Sequence, residues 1–133
     1  MISIGELFAQ ESSYLWPTNS GRFLSSTFGE TRSAHFHAGL DIKTWGREGY
    51  NVYASKDGIL SQLLITNQGY GKAIYLKHTD GSYTVYAHLN RFNEEFQTIA
   101  DSIRMNNYSY TLEKNMESSN IKVKQGDIIG YTG

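Results

Sequence analysis

No cysteine occurs among the 133 residues, which excludes disulfides, thiolate metal sites and a cysteine nucleophile together. The compartment stays open, since a chain without cysteine suits either redox environment. Proline occurs once, at Pro17, and no apolar run is long enough to span a bilayer. Charge of one sign is lacking as well. Twelve Lys and Arg stand against 13 Asp and Glu, for a formal net charge of −1. With no field to gather a polyanion, nucleic acid is not an expected partner. A complete signal peptide is also missing from the first ten residues, which have no basic start and whose apolar part is interrupted by Glu6. Leu7 to Gln10 read either as the remnant of a cleavage region or, the preferred reading, as part of a frayed terminus.

What is present is a globular composition, with 39% hydrophobic and 14% aromatic residues, and a length that suits one domain. Histidine is rare, four in all, and two of the four fall within the run His35-Phe36-His37-Ala38-Gly39-Leu40-Asp41-Ile42. An imidazole nitrogen and a carboxylate oxygen both suit zinc, which needs three or four such donors converging on one point. His37 and Asp41 are candidates for two of them. In a straight strand, residues four apart lie about 13 Å from each other, too far for two short side chains to share an ion. The segment must therefore bend, and Gly39 lies between the two donors. On spacing alone, a histidine and an aspartate making ordinary hydrogen bonds remains the competing reading, because HxxxD is a loose pattern.

Period-2 patterning dominates the rest. Residues 23–29, 52–55, 59–65, 72–77, 82–89 and 121–124 read as strands, with turns at Asp57-Gly58, Asp80-Gly81 and Gln125-Gly126-Asp127. Asp-Gly between β-branched and aromatic runs is a strong hairpin signal. Phe92, Phe96, Ile99 and Ile103 then recur at helical spacing. They predict one amphipathic helix near residues 92–105, with Asn90 or Asn93 as its cap, Glu94 and Glu95 in its first turn, Arg104 near its end and its apolar stripe in the core. Residues 106–120 read as mostly loop, with a strand at 108–112. His78, at a strand end, reads as a solvated or hydrogen-bonding residue. His88 ends a strand directly before Asn90 and Arg91, a position where sites are often built.

Taken in order, these motifs resemble the lysostaphin and LytM family of zinc metallopeptidases, which cut peptide bonds in bacterial peptidoglycan. His37-Ala38-Gly39-Leu40-Asp41-Ile42 is similar to the family's first zinc motif, and Val52-Tyr53-Ala54 with Asp57-Gly58 to the strand pair that follows. Gly69-Tyr70-Gly71 with Tyr86-Ala87-His88-Leu89 is similar to its central hairpin, and residues 123–130 to the segment leading to the last part of the site. The resemblance runs from about residue 20 onward, with residues 91–120 as a long insertion.

It implies an all-β fold, a mostly antiparallel twisted sheet with a groove. The expected division is an N-terminal extension at 1–19 and a metallopeptidase-like domain at 20–133. It also implies zinc as cofactor, His37 and Asp41 as ligands, and His88 as a non-ligand histidine that stabilises the tetrahedral intermediate or moves protons. His35 has no ligand role in the pattern. The implied partners are stem or bridge peptides of peptidoglycan, and the implied location is the cell envelope or outside the cell.

One departure stands out. The family's third ligand and general base come from a later HxH motif, and no histidine follows His88. Two expectations result: an endopeptidase domain cut before HxH and inactive as a 133-residue chain, or a catalytically inactive module that binds peptidoglycan or regulates another hydrolase. Intact His37 and Asp41 favour the first.

Overall fold

The computed structural model describes residues 2–5, 14–20, 24–26, 31–32, 35–36, 40–42 and 46–133, and before residue 46 side chains are described at 14–20 only. The described strands are Ile2–Gly5 (β1), Leu24–Ser26 (β2), Thr31–Arg32 (β3), His35–Phe36 (β4), Leu40–Ile42 (β5) and Asn51–Tyr53 (β6). Gly58–Ile65 (β7), Lys72–Lys77 (β8) and Tyr83–Phe92 (β9) follow. Among the described residues a single α-helix, Glu94–Asn106 (α1), precedes Leu112–Asn115 (β10), Lys122–Val123 (β11) and Ile128–Thr132 (β12). The fold is all-β and antiparallel in its described pairings, with one inserted helix.

The sheet runs β10-β7-β8-β9-β1-β5-β2. Two strands divide an edge between partners. β7 pairs with β10 along residues 62–65 and with β11 at 58–59. β9 has β8 on one side, and on the other it meets β1 at 85–87 and β12 at 89–92. The central β7–β8–β9 meander forms because its β-branched, aliphatic and aromatic residues fill a pleated surface, and short turns return the chain. Between β8 and β9 the N–H of Gly81 donates to the carbonyl of His78 at 2.9 Å, and the N–H of His78 donates to Ser82 at 2.8 Å. Gly81 supplies the positive φ of 87° that such a three-residue hairpin loop requires.

β9 does not alternate regularly. Lys72 pairs with Leu89 but Ile74 with Tyr86, so three steps of β9 oppose two of β8, and a second register shift falls between Thr132↔Leu89 and Tyr131↔Arg91. Each shift is a β-bulge that reverses which face the next residue occupies. Tyr86, Leu89 and Phe92, spaced by three, therefore all reach the core. They pack there with Leu60, Leu63, Ile65, Ile74, Leu76, Val52 and Ile129.

The helix begins where the sequence predicts a cap. Asn93 Oδ1 accepts the N–H of Phe96 at 2.8 Å, and Asn93 Nδ2 donates to the carbonyl of Ile128 at 3.0 Å, which ties the cap to β12. Phe96 and Ala100 are buried, with Ile99 and Ile103 packed against the same cluster. Phe92, grouped with the helix by its spacing, belongs to β9 instead. Removing the Phe96 ring would cost roughly 3 to 5 kcal/mol, the usual range for a buried aromatic cut to alanine.

One expectation is corrected. The strand expected at 108–112 lies at Leu112–Asn115, because Tyr108 ends the helix in a left-handed conformation (φ 51°) and the chain becomes extended only later. Ile2–Gly5 pairs on both sides, with β5 and with β9, while Leu7 to Gln10 lie outside the described residues. Among the described residues no helix is long and apolar enough to cross a membrane.

Candidate active site

Asp41 is the middle residue of β5 and pairs with Ser3 of β1, which in turn pairs with Ala87 of β9. Asp41 and the neighbour of His88 are thus separated by two strand spacings, about 10 Å between their Cα atoms. The backbone register places Asp41, Ser3 and Ala87 in one cross-strand row. His37 lies outside the described residues. His35 pairs with Arg32 in the separate two-stranded β3–β4 ribbon, off the main sheet. Among the described residues, no three His, Asp or Glu side chains come together as a metal cluster.

His88 stands at the first bulge, where the edge of β9 passes from β1 to β12. Its φ of 59° is left-handed, an uncommon conformation for a residue other than glycine. Both of its backbone polar groups are held. The N–H donates to the carbonyl of Tyr70 at 2.9 Å, and the carbonyl accepts the N–H of Gly133 at 3.0 Å. The Tyr70 and His88 rings meet edge to face with centroids 6.2 Å apart. A strained, doubly anchored bulge re-aims a side chain away from the regular alternation. Such outliers gather at functional sites, and His88 is the histidine that the motif order singles out.

Tyr70 was named in the central motif but given no role of its own from the sequence. Gly69 and Gly71, with φ of 70° and 64°, form the turn that presents it. Tyr75 is a second phenol on the same side of β8, paired with Val85 of β9. Burial, reinforced by Tyr70 and Glu113, pushes its hydroxyl above the usual tyrosine range, so it stays a proton donor near neutral pH.

His78 belongs elsewhere. It is only 3% exposed, and both ring nitrogens are used. Nδ1 lies 2.7 Å from the carbonyl of Asp57, which can only accept, so Nδ1 carries a proton. Nε2 lies 2.9 Å from Thr84 Oγ1, which is 2.7 Å from Tyr86 Oη, and that oxygen accepts the N–H of Ser55 at 3.0 Å. This is a buried structural chain with no lone pair left for a metal.

A sequence model of Peptidase family M23 matches residues 35–106, more than half of the chain, and that span includes His37, Asp41 and His88. The chain belongs to peptidase family M23. No curated protein and no solved structure matches it. Membership makes this a peptidase-type fold of the LytM and lysostaphin kind. Within the matched span α1 follows the strand that carries His88 and packs back on it.

Proposed function

We propose that this M23 domain is a zinc-dependent metalloendopeptidase acting on peptide bonds of bacterial peptidoglycan, with His37 and Asp41 as zinc ligands and His88 as the residue that moves a proton or binds the oxyanion. The observation that carries the reading is the pairing Asp41–Ser3–Ala87, which sets the strand of the first motif two places from the bulge that bears His88. The donor types fit zinc, an imidazole and a carboxylate, though they are two of the three protein ligands a catalytic site uses. When bound, the metal supplies a Lewis acid for the scissile carbonyl and brings the pKa of water toward neutrality. The chain's own contribution is positional. Tyr70 and Gly133 fix the backbone of His88 on β9, two strand places from β5, and the role proposed for its imidazole is to protonate a leaving nitrogen or hydrogen-bond a developing oxyanion. The cell envelope or the extracellular space is the matching location.

The third ligand and general base of the resembled pattern are absent from these 133 residues, since no histidine follows His88. The 133-residue chain by itself is therefore proposed to hold zinc weakly and to leave peptidoglycan uncut. The same absence favours a second reading, a module that binds peptidoglycan or regulates another hydrolase without cutting.

Calorimetric zinc titration separates the two. Wild type should bind one zinc, His37→Ala and Asp41→Ala should each weaken binding about tenfold or more, and His88→Ala should leave it unchanged. If wild type takes up no zinc yet sediments with purified peptidoglycan, the binding module replaces the peptidase. Loss of zinc in His88→Ala would make that histidine a ligand.

A further inference from the structure

The end of α1 and the chain beyond it, Met105-Asn106-Asn107-Tyr108-Ser109-Tyr110-Thr111, are exposed without a break, the longest such run among the described residues. Three large side chains stand in it, with Met105 75% exposed, Tyr108 97% and Tyr110 70%. No Lys, Arg, His, Asp or Glu occurs between them, whereas soluble surfaces are about a quarter to a third charged residues. The run is also held in one shape. The N–H of Asn107 donates to the carbonyl of Ile103 at 3.1 Å, and Ser109 Oγ donates to the carbonyl of Thr111 at 3.0 Å. Arg104 supports Tyr110 from behind: it donates to the Tyr110 carbonyl at 3.1 Å, and its Cζ stands 5.6 Å from the ring centroid. Asp101, 2.6 Å from the same guanidinium, offsets its charge.

Two independent observations point to a ligand. The first is strain, because Tyr108 takes a φ of 51°, costly for a bulky residue, and its ring packs on nothing that would offset the cost. Its contact is therefore to be sought outside the fold. The second is composition. Tyrosine offers rigid contact area with a polar tip, and Asn, Ser and Thr offer neutral donors and acceptors, the mixture found in recognition loops. The missing charge selects the occupant. A carboxylate, phosphate or ammonium ligand meets no opposite charge in the run, and a wholly apolar one leaves the amides of Asn106 and Asn107 unanswered, since neither side chain makes a hydrogen bond among the described residues. An N-acetylated pyranose answers both features, with a C–H face for the tyrosine rings and hydroxyl and acetamido groups for the amides.

We propose that residues 105–111 form a platform for an uncharged strand of N-acetylated amino sugars, the chemistry of the glycan chains of peptidoglycan. The proposal rests on the peptidoglycan reading for the source of the sugar, and on nothing at the candidate zinc site. Tyr108 and Tyr110 carry the stacking, and Asn106 and Asn107 give the preference for acetamido groups. A shallow, exposed surface binds weakly, so the platform holds the domain on the glycan strand while leaving it free to move along.

The probe is chitohexaose, an uncharged β-1,4-linked oligomer of N-acetylglucosamine, with maltohexaose as a neutral sugar that lacks the acetamido group. Titrated into the 133-residue chain and followed by heteronuclear NMR, chitohexaose should shift the amides of residues 105–111 with a dissociation constant of about 1 mM. Tyr108→Gly and Tyr110→Ala should each weaken binding about fivefold. Both rings are exposed, so circular dichroism of the variants should match wild type. No shift at about 5 mM sugar, shifts confined to other residues, variants that bind as wild type does, or maltohexaose bound as tightly as chitohexaose overturns the inference. Zinc titration of the same wild-type sample separates the readings. Zinc uptake without sugar binding removes the platform and keeps the peptidase, whereas sugar binding without zinc uptake keeps the platform and removes the peptidase.

Discussion

A Cβ placed on Gly58 would stand 2.9 Å from Nδ1 of His78, and closer still to the backbone oxygen of Lys77. The first strand of the meander and the end of the second touch here with no room for a methyl group. Gly58→Ala should destabilise the chain by about 1 to 3 kcal/mol, the scale of an overpacked site, because the obstructing atom is backbone and cannot rotate away. Urea denaturation followed by tryptophan fluorescence would measure it. An unchanged midpoint would show that the strands separate easily at this point.

Tyr86 occupies the middle of the buried chain that joins Ser55 to His78. Burial holds its phenol above the ordinary range, so it remains protonated. Tyr86→Phe keeps the ring but strips the acceptor from the Ser55 N–H and the partner from Thr84. The expected loss is about 1 to 3 kcal/mol, the cost of leaving a buried donor unsatisfied. Thr84→Val combined with Tyr86→Phe should cost less than the sum of the single changes, because the two groups satisfy each other. Additive losses would refute a connected chain.

Tyr108 follows the helix in a left-handed conformation that glycine adopts without strain, and it is 97% exposed. Its N–H donates to the carbonyl of Met105 at 3.2 Å and the N–H of Ser109 donates to Arg104 at 3.0 Å, so the turn is a closed helix end. Nothing buried is lost on substitution. Tyr108→Gly should therefore stabilise the chain by roughly 1 kcal/mol, visible as a higher thermal midpoint, whereas Tyr108→Val should lower it. The reverse order would mean that the ring supports the fold.

Asp80 lies well below the usual carboxylate range, first because the Ser82 hydroxyl and N–H donate to it and then because Lys56 stands 3.3 Å away. A depressed folded pKa means that its stabilisation is fully present above the ordinary value of 3.8 and is lost as pH falls below it. Asp80→Asn should lower stability at pH 7, where the charged carboxylate contributes, and flatten the acid limb so that variant and wild type converge in acid. Denaturation midpoints between pH 2 and 7 would show this. An unaltered acid limb would exclude Asp80 as a contributor.

The meander was legible in the sequence because its signals are local. Lys72–Lys77 was expected at its observed bounds, Asp80-Gly81 marked its hairpin, and Asn93, one of two expected caps, lies three residues before Phe96, the first buried helical side chain. The length of β9 was not legible. Its two bulges break the period of two, so a reading by alternation stops at Leu89, three residues short of Phe92. Strand β1 was missed for a different reason. Four residues that begin Ile2-Ser3 carry too little pattern to declare a strand, and β1 exists because β5 and β9 offer it two edges. At the site, His88 was named from motif order, but its left-handed backbone and its contact with Tyr70 are tertiary facts that no spacing encodes.

The double pairing of β1 has a practical consequence for handling the protein. Among the described residues, Ile2–Gly5 bridges the strand of Asp41 to the strand leading into His88, so whatever pulls on that short segment pulls the two halves of the candidate site apart. A purification tag or fusion partner joined in front of it loads that four-residue link. Zinc titrations on chains tagged at that end would then report on the tag as much as on the protein.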